Sequence, residues 1–155
     1  MTDLKEDKLK IISEFQGKYR FLSNFWPAKV TLDNIEYPSV EHAYQAAKTL
    51  DKSYRQKIFN CKSPGEAKRL GKRSPLREDW EEVKISIMTE LLTQKFSHKH
   101  LELLLLETGE ADLIEGNTWG DIYWGVCRGT GKNYLGKILV TLRETLKNKR
   151  KKEDD

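Results

Sequence analysis

Residues 39–48 read Ser-Val-Glu-His-Ala-Tyr-Gln-Ala-Ala-Lys, directly after a proline. Ser39 is a favourable N-cap, and Glu41 falls in the first turn, where the helix dipole stabilises a carboxylate. The stretch therefore predicts a helix that continues to Leu50. Four side chains at helical spacing share one polar and aromatic face of this helix: Glu41, Tyr44, Gln45 and Lys48. The alternative for this face is plain exposure to solvent, with His42 on a different face as a structural histidine.

The residues before this helix predict a β-hairpin over 28–37. Val30 and Leu32 alternate with polar residues, and Asp33-Asn34 suits the turn. The segment YRFLSNFW (19–26) lies further upstream and mixes aromatic with polar side chains. It either packs as an aromatic strand or contributes ligand contacts. The candidates for such contacts are Arg20, Ser23, Asn24 and Phe25.

Further helices are predicted after residue 60. Ser63 and Glu66 form a capping box with proline at the first helical position, which predicts a short helix ending near Gly71. Helical periodicity predicts three more helices, and a short apolar run fits a strand. These helices cover residues 77–96, 99–107 and 133–149, and the strand covers 111–115. The sum is an α+β fold: a compact, mainly helical single domain with a small antiparallel sheet.

Composition and charge set the class of protein. The 155 residues suit one domain with its own core, and 10 % aromatic residues are too many for a disordered chain. We expect a flexible N-terminus over 1–14, the domain over 15–146 and a charged tail over 147–155. The net charge is only +4, lower than a general nucleic-acid binder usually carries. The basic tail either contacts phosphate or is simply solvated.

The cellular compartment is predicted from cysteines and hydropathy. The two cysteines, Cys61 and Cys127, form no CxxC pair and fit a reducing compartment. The N-terminal residues are polar, with no apolar core of a signal peptide, and no apolar run reaches the length of a membrane span. We therefore expect a cytoplasmic protein without a membrane partner.

A second unusual segment, residues 115–125, reads EGNTWGDIYWG. It lies at the start of a stretch, 116–131, that contains five of the chain's ten glycines. Gly120 and Gly125 would let the backbone approach a ligand closely. Trp119 and Trp124 offer stacking surfaces for a base, with Asn117 and Asp121 beside them. The alternative is a structural turn with core tryptophans, in which Asp121 caps a helix or binds a backbone amide.

Together, several separated motifs resemble the NADAR/YbiA-like N-glycosidase family. The resemblance runs from about Phe15 to Arg143, nearly the whole chain, with the motifs in the family's order. The basic tail lies outside the family pattern. The strings that carry the resemblance are FLSNFWP (21–27), YPSVEHAYQAAK (37–48), GNTWGDIYWGVC (116–127) and GKNYLGKIL (131–139).

The resemblance implies a compact α+β fold and cleavage of a ribose C1′–N bond. Family members act on two substrate classes: ADP-ribose attached to guanine in nucleic acid, and ribosylamino-pyrimidine phosphates of the riboflavin pathway. We expect the first class here. The catalytic candidates are Glu41, Lys48 and Asp121. The substrate-binding candidates are Arg20, Ser23, Asn24, Phe25, Tyr44, Lys68, Asn117, Trp119, Gly120, Trp124 and Gly125.

These residue types suit the expected chemistry. Breaking a C1′–N bond builds positive charge on the ribose, which the Glu41 carboxylate can stabilise while it activates water. Lys48 can bind phosphate, or form a Schiff base with ring-opened ribose if its pKa is lowered. The scheme requires no cofactor and no metal. The expected partners are ADP-ribose or a ribosyl phosphate and ADP-ribosylated DNA or RNA. The rival class is a module that binds ADP-ribose without hydrolysis.

Overall fold

The computed structural model describes residues 10–154. Their internal contacts divide the chain into two compact units. The inserted unit is the continuous stretch Asn24–His98, and the terminal unit combines residues 10–23 with residues 99–154. Each unit is described in turn.

The inserted unit opens with a β-hairpin. Strands β2 (Pro27–Leu32) and β3 (Ile35–Ser39) pair antiparallel. The two turn residues between them, Asp33 and Asn34, have φ of 48° and 68°. Positive φ at both positions is the backbone of the tight turn that matches strand twist, and Asn and Asp tolerate it well. The predicted hairpin is confirmed.

Helix α1 (Val40–Ala47) lies at the centre of the inserted unit, and all of its residues are buried. The Ser39 side chain caps it by accepting a hydrogen bond from the backbone N–H of His42 (3.1 Å). The helix ends at Ala47, earlier than the predicted Leu50. The cause lies just downstream, where Asp51 caps a helix absent from the sequence prediction, α2 (Lys52–Phe59). Residues 48–51 are therefore the connection between two helices.

Two further helices pack against α1: α3 (Pro64–Lys72) and α4 (Trp80–Lys95). The predicted N-cap is present, since Ser63 Oγ accepts from the N–H of Glu66. The Glu66 carboxylate accepts from the N–H of Lys62 (3.0 Å), whereas a complete capping box would have it accept from Ser63. Helix α4 begins three residues later than predicted. Arg77 is held outside it by a bond from its backbone N–H to the carbonyl of Lys48 (2.7 Å) and by an ion pair with Asp79 (2.6 Å).

The inner face of α4 contains a buried charge that the periodic pattern did not predict. Lys95 is fully buried among the apolar side chains of this face, and its Nζ lies 5.1 Å from the centroid of the Phe96 ring. Burial lowers the pKa of Lys95 to about 7, because the charged form loses its hydration. The ammonium form is therefore destabilised inside the inserted unit at neutral pH.

The terminal unit joins both ends of the described chain. Strand β1 pairs parallel with β4, and β5 pairs parallel with β6. The predicted strand over 111–115 is confirmed as β4, and the helix over 99–107 as α5. The elements are β1 (Ile11–Ile12), a 3-10 helix (Gly17–Leu22), α5 (Lys99–Glu107), β4 (Asp112–Leu113), β5 (Gly116–Asn117), β6 (Val126–Cys127) and α6 (Tyr134–Asp154).

Both predicted flexible ends contain regular structure where they are described. Residues 1–9 lie outside the described part, but β1 falls within the expected N-terminus of 1–14. Helix α6 continues to Asp154, through most of the expected tail of 147–155. Lys147 Nζ donates to the carbonyl of Gly109 (2.7 Å), and Arg150 Nε lies 3.7 Å from Glu102 Oε1. These contacts hold part of the basic segment against the terminal unit.

The α+β fold class is confirmed. Helices form most of the regular structure, and the β2–β3 hairpin is the predicted antiparallel sheet. The two parallel pairs are additional: of their four strands, each only two residues long, the sequence pattern predicted β4 alone. Among residues 10–154, no helix has the length and apolar character needed to cross a membrane.

Candidate active site

Glu41 is held in the inserted unit through both its backbone and its carboxylate. Glu41 is 7 % exposed. Its backbone N–H, at the start of α1, donates to the carbonyl of Asn24 (3.1 Å). Its Oε1 accepts a hydrogen bond from Gln45 Nε2, one turn later (2.7 Å). A carboxylate so deeply buried needs such partners to remain charged. The spacing that put both side chains on one helix face is thus realised as a direct bond.

Gln45 belongs to the candidate site. The sequence placed it on the same helix face as Glu41, but it was not among the predicted catalytic or binding residues. It is 3 % exposed, and no donor among residues 10–154 reaches its Oε1. A methyl group at Gly71 would collide with that amide oxygen, so the glycine lets α3 approach the Gln45 side chain. An unsatisfied buried acceptor costs about 1–3 kcal/mol. The Gln45 amide therefore donates to Glu41 while its own unsatisfied oxygen lowers the stability of the fold.

Lys48 lies at the C-terminal end of α1 and is half-buried. Burial is the main cause that lowers the pKa of this lysine, and the cations Lys68, Lys72 and Lys84 lower it further. The Glu41 carboxylate acts in the opposite direction. The Nζ of Lys48 lies 5.5 Å from the centroid of the Tyr44 ring. An amine with a lowered pKa has a larger neutral fraction at neutral pH, as a nucleophile or proton acceptor requires.

The inserted unit also contains two aromatic contacts that involve predicted site residues, one buried and one at the surface. Tyr44 is buried against Trp80, with ring centroids 5.3 Å apart. The sequence did not predict this pair, because the helical periodicity of 77–96 does not reveal which neighbour Trp80 contacts. Phe25 is 42 % exposed, and Lys68 Nζ lies 5.9 Å from its ring centroid. Phe25 and Lys68 thus form an exposed cation–aromatic pair that can take a base and a phosphate.

Asn24 contributes through its backbone. Its carbonyl accepts from Glu41, while its side-chain Nδ2 points at Met88 Sδ (3.5 Å). The side chain is buried and the backbone carbonyl fixes the start of α1, while a contact of Asn24 with substrate stays a prediction. His42 is structural, as predicted. It is 2 % exposed, with Ser39 Oγ 2.7 Å from Nδ1 and the Cys61 carbonyl 3.0 Å from Nε2.

The glycine-rich loop of the terminal unit is held by its own polar side chains. Asp121 Oδ1 accepts from the backbone N–H groups of Tyr123 (3.1 Å) and Trp124 (2.9 Å). Asn117 bonds the backbone of Asp121 in both directions, donating to its carbonyl (2.9 Å) and accepting from its N–H (3.0 Å). Side chains of Asn and Asp often stabilise turns in this way. This geometry favours the alternative in which Asp121 binds backbone amides.

Two glycines of this loop are required by its geometry. Gly120 has φ of 87°, a conformation that side chains disfavour. A Cβ on Gly125 would collide with the side chain and carbonyl of Glu115 and with Asn117. Of the two tryptophans, Trp119 is 54 % exposed and Trp124 is partly buried, with Tyr123 edge-on at 4.8 Å between ring centroids. Trp119 therefore presents the more open stacking surface.

The remaining candidates lie just before the unit boundary. Arg20 is exposed in the last turn of the 3-10 helix, and its carbonyl accepts from the N–H of Ser23 (3.0 Å). Ser23 is half-buried. The predicted residues thus fall into two groups. The inserted unit contains Asn24, Phe25, Glu41, Tyr44, Lys48 and Lys68, whereas the terminal unit contains Arg20, Ser23, Asn117, Trp119, Gly120, Asp121, Trp124 and Gly125.

The sequence profile of the NADAR domain matches residues 12–147. The chain belongs to the NADAR domain family. It is 46 % identical over 134 residues to N-glycosidase YbiA of Escherichia coli, an alignment that covers 83 % of this chain and 82 % of that protein. The NMR structure of E. coli YbiA matches with a TM-score of 0.81 and 39 % identity, covering 91 % of this chain and 87 % of that one.

Two further relatives show the range of names. An N-glycosidase of Nostoc punctiforme is 37 % identical, with 84 % of this chain and 87 % of that protein covered. A riboflavin biosynthesis protein of Vibrio vulnificus is 35 % identical over 81 % of this chain, but only 35 % of that protein is covered. The resemblance predicted an N-glycosidase. This enzyme class is confirmed by relatives that are named N-glycosidases and that align with this chain over most of both sequences.

Proposed function

We propose that this N-glycosidase hydrolyses a ribose C1′–N bond at the Glu41 face of α1, and that its substrate is ADP-ribose attached to a guanine base in nucleic acid. The observation that carries the site is the buried Glu41 carboxylate, which accepts from Gln45 on the helix that Lys48 caps at its C-terminal end. A pure binding module has no need of a carboxylate oriented in this way.

The reaction follows from the charge that develops. As the C1′–N bond lengthens, its electron pair leaves with the base and the ribose becomes cationic, which a buried carboxylate stabilises strongly. Water then adds to C1′, and Glu41 accepts the proton that the water loses. The departing nitrogen gains a proton, so the products are the free sugar and the neutral base. Burial lowers the pKa of Lys48, so its neutral form, which can accept a proton, is more populated than in a solvent-exposed lysine.

A phosphorylated substrate is supported by the cations near Lys48. Lys68, Lys72 and Lys84 each influence the pKa of Lys48, so the four ammonium groups create a positive potential over this part of the inserted unit. Lys84 also pairs with Glu81 (2.6 Å), which leaves the other cations as the better phosphate ligands. A positive potential concentrates anionic substrates and speeds their association.

A nucleic-acid substrate is supported by the end of α6. Lys149, Lys151 and Lys152 are exposed near the C-terminal end of this helix. Exposed lysines that neutralise phosphates release counterions, and this contribution to binding falls as salt rises. A modified base must be reached in single-stranded nucleic acid or flipped out of a duplex. Stacking on Phe25 or Trp119 would stabilise the extruded base.

A second substrate is favoured by one relative. The Vibrio vulnificus protein is named for riboflavin biosynthesis and aligns with most of this chain. A ribosylamino-pyrimidine phosphate contains the same kind of C1′–N bond and a phosphate for the lysines, but it does not need the basic end of α6. Binding of the two substrates is therefore expected to differ in its dependence on residues 149–152.

The test is a product assay with wild-type protein and Glu41→Gln. Each is incubated with ADP-ribosylated guanine DNA and, separately, with a ribosylamino-pyrimidine phosphate. Released sugar is followed by mass. We expect ADP-ribose from the DNA with wild type only. Release from the small molecule alone would replace the proposed substrate with the second one. No release from either, with ADP-ribose still bound, would favour a binding module.

A further inference from the structure

We infer that Gln45 is a positioning residue, which sets the orientation of the Glu41 carboxylate for the reaction, and that Gly71 is the residue that keeps Gln45 in place. The inference rests on the proposed catalytic role of Glu41. Gln45 acts through Glu41 and is not assigned a contact with the substrate.

The geometry around the amide carries the inference. Gln45 Nε2 lies 2.7 Å from Glu41 Oε1, both residues are more than nine-tenths buried, and both lie on the rigid helix α1. A donor on a buried neighbour removes much of the rotational freedom of a carboxylate and favours its charged form. The carboxylate that stabilises the ribose cation and accepts the proton of the water is thereby oriented before the substrate binds, as preorganised catalysis requires.

The opposite end of the amide excludes simple core packing as the explanation. No donor among residues 10–154 reaches Gln45 Oε1, although the atom is buried. An apolar side chain of the same length would fill this space without an unsatisfied carbonyl. The glutamine is accounted for by its donor end, which reaches Glu41.

Gly71 fixes the amide from the side of α3. An added Cβ there would collide with Oε1, Cδ and Cβ of Gln45. Helix α3 can therefore pack closely on α1 only with glycine at this position, and the same close contact prevents Gln45 from swinging away from Glu41. Gly71 lies in an ordinary helical conformation, so its requirement is one of space and not of backbone freedom.

Gln45→Met keeps the length of the side chain and removes its donor. We expect kcat to fall about 10- to 100-fold while KM stays within about threefold, because the interaction lost is one that the transition state uses. The acidic limb of the kcat profile, where the carboxylate gains a proton, is expected to move upward. The matched control is Gln56→Met, an exposed glutamine of α2, which should leave both unchanged.

Gly71→Ala tests the second half of the inference. The methyl displaces the amide, so we expect a fall in kcat comparable to that of Gln45→Met, and adding Gln45→Ala to Gly71→Ala should restore the melting temperature but not kcat. A melting temperature restored together with kcat would overturn the inference. So would Gln45→Met with wild-type kcat and an unmoved acidic limb, provided that Glu41→Gln is inactive. If Glu41→Gln is itself active, the proposed function fails first.

Discussion

Helix α1 and the glycine-rich loop of 115–125 look alike in sequence, since each places polar groups among aromatic side chains. Their structures use those groups differently. In α1, Glu41 receives its bond from a neighbouring side chain, Gln45, on a rigid helix. In the loop, Asp121 accepts from two backbone amides, and Asn117 bonds the backbone around it.

The difference shows how to separate a reacting carboxylate from a structural one. A carboxylate that satisfies backbone amides is needed for the path of the chain, and an amide oxygen can do the same work. The hydrogen bond from Gln45 to Glu41, by contrast, serves no backbone amide, which is consistent with the proposed role of Glu41 in the reaction. On this argument we propose Glu41 as the catalytic carboxylate. The backbone contacts of Asp121 favour a role in shaping the loop, and its catalytic role stays a prediction.

The largest effect is expected from Glu41→Gln. Loss of the charge should lower turnover about 1000-fold, which corresponds to about 4 kcal/mol in the barrier. Binding of ADP-ribose should stay within about threefold, because size and hydrogen bonding are nearly preserved. Steady-state kinetics and calorimetric titration measure the two quantities. Glu36→Gln, at an exposed position of strand β3, is the control. Near wild-type turnover in Glu41→Gln would remove the distinction between the two regions.

The next effect concerns the buried amine of Lys95 in helix α4. Folded Lys95 releases its proton at about pH 7, whereas unfolded lysine holds it to about pH 10.4. Between these values the unfolded state binds more protons, so the free energy of unfolding rises with pH, by about 2 kcal/mol from pH 7 to 9. Below pH 7 the penalty for burying the charge is fully present.

Thermal unfolding of wild type and Lys95→Met at several pH values measures this contribution. The methionine variant should be the more stable protein at pH 7, with the difference shrinking toward pH 9. Lys52→Met, on the exposed side of α2, serves as the control. Parallel curves for wild type and Lys95→Met would show that the buried amine does not titrate in this range.

A smaller effect is expected from Asp121. Asp121→Ala removes the acceptor for two backbone amides and should lower the free energy of unfolding by about 1–2 kcal/mol. Asp121→Asn keeps an oxygen in the same place, so stability and turnover should both stay close to wild type. Denaturant unfolding and kinetics measure the pair. An Asn variant that is stable yet as inactive as Glu41→Gln would return Asp121 to the catalytic group.

The smallest effect on stability is expected outside both regions. Residues 151–154 are exposed at the end of α6, and deletion of 151–155 should change the free energy of unfolding by less than about 0.5 kcal/mol. If the substrate is nucleic acid, the same deletion should weaken its binding and flatten the salt dependence. Unchanged binding at low salt would confine recognition to other residues. ADP-ribose binding is the internal control, since it does not involve these lysines.

Sequence reasoning succeeded where one residue determines a local structure. Ser39 and Ser63 marked helix starts because their hydroxyls cap free amides, and Asp33-Asn34 marked the turn. Helix α2 was missed because it is polar, with only Arg55 and Ile58 buried. Its one signal was Asp51, which caps it.

The parts of the site that sequence could not predict are contacts between separate segments. The face of α1 was predicted, but the collision that requires Gly71, and the packing of Trp80 on Tyr44, depend on how α3 and α4 approach α1. Likewise, a lysine within a helical pattern reads as exposed, and only tertiary packing buries Lys95. Local spacing determines which side chains share a face, whereas neighbouring helices determine what that face contacts.

The pairing of β1 with β4 has a consequence for synthesis. Ile11 aligns with Asp112, so the first strand leaves the ribosome long before its parallel partner exists. The inserted unit, by contrast, is continuous and has all of its residues once His98 has emerged. Because compact segments fold as they become complete, the inserted unit can fold during translation while β1 waits. Strand β1, the first within residues 10–154, therefore cannot complete its pairing until Leu113 has been synthesised.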